Sequence, residues 1–136
     1  MKKYWMTLMA SAALASCSPG ADTKAAENGI SSFHSDLNAG NFDKIYDGTG
    51  PEFKAVSTKD KFTQILKVVH SKLGGFKNGK SVGWNDNVTT NGHFVTMNYD
   101  ANYEKGPASE NFVFRVSGSE ATLVGYHVNA DALLLG

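Results

Sequence analysis

Apolar residues recur first at helical spacing and then at strand spacing, which divides the chain into a helical part followed by a β part. Over about 24–39, Ala26, Ile30, Phe33 and Leu37 fall on one helical face, and Gly40 marks a C-terminal stop. Gly29 weakens that helix without forbidding it. Asn41 is expected to cap a short second helix through Tyr46, before Gly48, Gly50 and Pro51 break it. The third helix has the clearest pattern. Ser57 stands three residues before Asp60 as a variant capping box, Phe62, Ile65, Leu66, Val69 and Leu73 form one stripe, and Gly74 ends it.

Beyond Gly75 the period shortens to two. Asn91-Gly92 lies between two alternating segments and predicts a two-residue hairpin turn. With Thr90 paired to His93, Val88 falls opposite Val95, Asp86 opposite Met97, Trp84 opposite Tyr99 and Val82 opposite Ala101, all on one face. Lys105-Gly106-Pro107 marks the next turn, after which Phe112, Phe114 and Val116 alternate with Asn111, Val113 and Arg115. The last strand, about 121–128, turns inward either Leu123, Gly125 and His127 or Val124, Tyr126 and Val128, and loop length leaves both open. Leu133 to Leu135 reads as a final packing segment.

Three helices followed by a curved antiparallel sheet of about four strands define an α+β domain with its helices on one sheet face. This order resembles the conical fold of nuclear-transport-factor-like and ketosteroid-isomerase-like proteins. The matching features are the helices around Phe33 and from Phe62 to Leu73, the Gly74-Gly75 break, the long hairpin and the closing Gly125-Tyr126-His127-Val128. The chain looks most like small exported members of that superfamily whose domain has no assigned function. Such a resemblance implies a cone with a partly filled concave sheet, and it transfers no chemistry.

The first residues stand apart from this pattern. Lys2 and Lys3 precede an apolar run of about a dozen residues, too short for the roughly twenty that span a bilayer, which reads as a signal peptide over 1–16. The run ends in Leu14-Ala15-Ser16-Cys17, which resembles the bacterial lipobox. Cys17 is the single cysteine of the chain, so it has no internal disulfide partner, and lipid attachment, palmitate included, accounts for it. In enteric lipoproteins the residue after the cysteine directs sorting; Ser18 is not the retention aspartate, which implies the outer membrane, facing the periplasm. Residues 17–23 read as a lipid-anchored tether, of which Ser18 to Thr23 has a reach of about 20 Å, and 24–136 as one domain.

Cleavage would remove two lysines and leave 11 basic against 13 acidic residues. No basic run suggests nucleic acid, and the lipid rather than charge would supply membrane affinity. Among candidate chemical groups, Asp86 stands on the apolar face of the hairpin, where desolvation would suit a general acid or base, unless a bulge near Asn85 or Asn87 turns it outward. Trp84, Met97, Tyr99, Phe112 and Phe114 would line a pocket with it in a partly filled cone. His34 and His70 sit at the edges of helical stripes, and His127 opposes Glu110 if the last loop is even. No local cluster has metal-ligand spacing, no phosphate loop or nucleophile elbow is present, and no cofactor is implied. The expected function is a noncatalytic binding or accessory module of the envelope, with a possible protein partner there. The rivals are an enzyme or carrier for a small apolar ligand around Asp86 and a helix histidine, and an inhibitor of a specific protein such as a toxin.

Overall fold

The computed structural model describes residues 19–135; the segment expected to be a signal peptide, and Cys17, lie outside the described residues. Helices α1 (Pro19–Asn38), α2 (Phe42–Asp47), α3 (Pro51–Lys54) and α4 (Lys59–Leu73) precede four strands, β1 (Phe76–Thr89), β2 (Gly92–Tyr103), β3 (Gly106–Ser117) and β4 (Glu120–Asn129). A fifth helix, α5 (Asp131–Leu134), follows them. The strands form one open antiparallel sheet in the order β1-β2-β3-β4, so the fold is α+β, with five helices among the described residues where about three are expected. No helix among the described residues is long and apolar enough to cross a membrane.

The helix boundaries differ from expectation where capping chemistry decides them. α1 starts at Pro19, so residues 19–23, expected as tether, are helical. Proline suits a first helical turn because its missing N–H would be unpaired there, and Asp22 complements the dipole. Asn41 occupies the N-cap of α2 but makes no side-chain cap. Pro51, expected to break structure, opens the one-turn α3 behind Gly50. α4 is capped by Thr58 rather than Ser57: the Thr58 backbone is extended and its Oγ1 accepts from the Lys61 N–H at 3.3 Å.

The hairpin turn falls one residue earlier than Asn91-Gly92 predicts. Thr89 pairs with Gly92, making Thr90 and Asn91 the loop. Thr89 Oγ1 closes it, accepting from the Asn91 N–H at 3.1 Å and donating to the Gly92 carbonyl at 3.2 Å. Gly92, with φ +138°, takes the first position of β2. Trp84 therefore faces Met97, Asp86 faces Val95 and Val88 faces His93, a slide of two positions that keeps the faces as expected. A bulge between Ser81 and Gly83 removes Val82 from the ladder, and Gly79 rather than Val82 stands opposite Ala101.

A second bulge lies in β4. Phe114 pairs with Leu123 but Val113 pairs with Gly125, so the extra residue Val124 changes the phase of the strand. Leu123 points to the core on one side of it and Tyr126 and Val128 on the other. Glu110 stands opposite Val128, and His127 opposite Asn111 on the outer face.

One sheet face is covered by the helices. α1 runs across it: Gly29 lies over Phe114 and His34 over Phe76 and Phe112. A Cβ on Gly29 would come within 2.6 Å of the Phe114 ring, so this glycine, which weakens the isolated helix, permits its docking. Phe33 meets Phe112 and Tyr126 with ring centroids 5.1 and 4.6 Å away, and α4 adds Phe62, Leu66, Val69 and Leu73 to the same core. Leu133 packs against that core, while Leu134 and Leu135 are exposed, so only part of the tail is a packing segment.

Candidate functional site

The inward face of β3 reads Ala108, Glu110, Phe112, Phe114, Val116, and all five are buried. A carboxylate in that row needs hydrogen-bond partners, because an unpaired buried charge costs several kcal/mol. Three side chains supply them. His34 Nε2 lies 2.7 Å from Glu110 Oε1, while the Tyr103 and Tyr126 hydroxyls donate to Oε2 at 2.8 and 2.5 Å. The partners come from α1, β2 and β4, so one carboxyl group joins a helix to three adjacent strands. The Glu110 side chain has 0% exposed surface and that of His34 3%.

Aromatic rings enclose the cluster. The His34 imidazole stacks on Phe76 at 3.6 Å with the planes 3° apart, and the Phe33, Tyr99, Tyr103 and Phe112 rings surround it. His34 Nε2 faces Glu110, and its Nδ1 is buried and without a hydrogen-bond partner among the described residues. Burial and then the Glu110 charge push the Tyr103 and Tyr126 hydroxyls well above the ordinary tyrosine range, and the same causes raise Tyr99. Both phenols therefore remain donors. A general base must offer a free lone pair to a proton it can reach. Here both Glu110 oxygens are engaged and the carboxyl is sealed from solvent, an arrangement suited to tying elements together.

The rival arrangement, in which Asp86 meets His34 or His70 inside the domain, is not what the structure brings together. Asp86 lies toward the far end of β1, hydrogen-bonded to His93 across the hairpin. His93 Nε2 also stands 3.7 Å from Oδ2 of Asp22 in the first turn of α1. His70 contacts Phe42 edge-on, 5.9 Å between centroids. Of the other predicted pocket residues, Met97, Phe112 and Phe114 are core, Tyr99 is partly buried over Gly79, and Trp84 is 51% exposed.

The sequence carries a partial signal for the Glu110 cluster but not its partners. Glu110 shares the alternation of Phe112, Phe114 and Val116, and His34 adjoins Phe33 at the edge of its stripe. No local spacing joins positions from four separate elements.

Two apolar grooves lie on the surface. A groove of about 620 Å³ between α1, α2 and the β3–β4 turn is lined in part by Phe33, Ile45, Phe114 and Leu123, with Asp36 and Lys44 at its rim paired at 3.2 Å. Along α4 and the free edge of β4, Ile65, Val68, Val128 and Leu133 line an apolar groove, and Val56 lies exposed beside it. The chain matches no protein-family model, and no curated protein is similar to it.

Proposed function

We propose that this chain is a lipid-anchored protein of the bacterial envelope, held through Cys17 at the outer membrane facing the periplasm. Its folded domain is a noncatalytic binding or accessory module. The observation that carries the reading is the sealed state of Glu110: the domain's most deeply buried charged group is fully hydrogen-bonded to His34, Tyr103 and Tyr126 and has no surface to offer a substrate. Apolar side chains are exposed on α4 beside the edge strand β4, as they are on β1, and the groove on α4 is where a partner would find hydrophobic side chains next to a sheet edge.

The α+β order and the helix-covered antiparallel sheet are compatible with the conical fold the sequence resembles, and in this reading the concave side is filled by aromatic side chains. A small-ligand carrier is the second reading, favoured by the groove of about 620 Å³ beside Phe33 and Phe114.

Affinity recovery from native envelopes with the membrane-extracted protein tests these readings. One stoichiometric protein partner, lost with Ile65→Glu or Val68→Glu and retained with Asp86→Asn, supports the binding module. A retained small apolar metabolite whose turnover is lost with Asp86→Asn overturns it.

A further inference from the structure

We propose that Asp22, Asp86 and His93 form a binding site for one divalent metal ion of the zinc class, which clamps the start of α1 to the β1–β2 hairpin. One ligand atom from each of the three residues lies within 4.8 Å of the other two. They come from three elements, α1, β1 and β2, so the fold and not local sequence assembles the set.

The geometry favours a cation over a plain hydrogen-bonded cluster. His93 Nε2 faces both carboxylates, hydrogen-bonded to Asp86 and 3.7 Å from Asp22, yet one ring nitrogen carries at most one proton to share between them. No lysine or arginine pairs with either carboxylate among the described residues. Two negative groups thus converge on a nitrogen whose lone pair is itself a metal ligand. A four-coordinate ion bonded at about 2.0–2.2 Å holds its ligands roughly 3.3–3.6 Å apart, close to the Asp22–His93 separation. The His93–Asp86 hydrogen bond opens by side-chain rotation to admit it.

The donor set selects the kind of ion. Calcium and magnesium take oxygen ligands, whereas imidazole with carboxylates suits zinc and its first-row neighbours. Three protein ligands leave a fourth position to water. The three side chains are between about a quarter and a third exposed, so an ion can enter from solvent. Asp22 is five residues beyond Cys17, which places the clamp where the domain meets its expected anchor. An ion bound there stabilises the folded state by mass action and holds the hairpin against α1. This clamp is independent of whether the domain binds a protein or a small ligand.

Titration calorimetry with zinc chloride on the detergent-extracted protein, with cobalt absorption spectra as a second readout, tests the site. The expected result is one equivalent bound, a raised thermal midpoint, and a cobalt spectrum of low coordination number. His93→Gln and Asp22→Asn each weaken binding on the order of tenfold or more, since even the loss of an outer-shell partner has that effect. Both changes lie on the surface, and an unaltered metal-free circular dichroism spectrum verifies that each variant folds. Cys17→Ser should leave affinity unchanged, which separates the site from any free thiol. Absence of a one-equivalent event, or equal affinity in wild type and His93→Gln, overturns the proposal.

Discussion

Glu110 and His34 are 76 positions apart in the chain, yet their side chains meet at 2.7 Å inside the helix-covered face of the sheet. Removing one partner from such a cluster leaves the others buried and unpaired. Glu110→Ala is therefore expected to destabilise the domain by about 3–5 kcal/mol, a large share of the roughly 5–15 kcal/mol that holds an ordinary domain together. Urea unfolding monitored by circular dichroism measures it; a loss below about 1 kcal/mol would show that the cluster is not a structural tie.

The two tyrosines give the cluster a pH signature. Their hydroxyls are held above the ordinary value in the folded state, so above about pH 10 the unfolded chain releases protons that the folded chain keeps. The unfolded state then binds fewer protons, and stability falls as pH rises. Their contribution is fully present below about pH 10 and is lost progressively above it. Denaturant midpoints at pH 8 and pH 11 should differ more for the wild type than for Tyr126→Phe, and an equal drop in the two would refute the assignment.

Gly29 sets helix propensity against packing. Alanine favours a helix over glycine by about 1 kcal/mol, whereas an added methyl at this position meets the buried Phe114 ring at 2.6 Å. Overpacking of a fixed core ring costs about 1–3 kcal/mol, so Gly29→Ala is expected to be neutral to destabilising and Gly29→Val clearly destabilising. Thermal midpoints decide the sign. A rise in midpoint with valine would mean that α1 does not dock on Phe114.

At the N-terminus, membrane-extracted protein is expected to begin at Cys17 with acyl chains attached, and Cys17→Ser to move the protein out of the membrane fraction. Intact mass and fractionation read both outcomes. An unmodified thiol on a membrane-free product would remove the anchor from the proposed function.

The sequence by itself determined the helical first part, the four strands, the α+β class and most of the core. Those features rest on periodicity, as with Phe62, Leu66, Val69 and Leu73 on α4 or Phe112, Phe114 and Val116 on β3, and periodicity is a local property. The parity of the hairpin was legible for the same reason, since a slide of two residues leaves Trp84, Asp86 and Val88 on the face that alternation gave them. Tertiary structure decided what depends on a single residue's count or on distance through space. The Thr89 hydroxyl moved the turn by one position, and the bulge at Val124 let both inward patterns of β4 coexist. The partners of Glu110, and the meeting of Asp22 with Asp86 and His93, arise because α1 crosses the sheet, bringing together residues that no spacing along the chain relates.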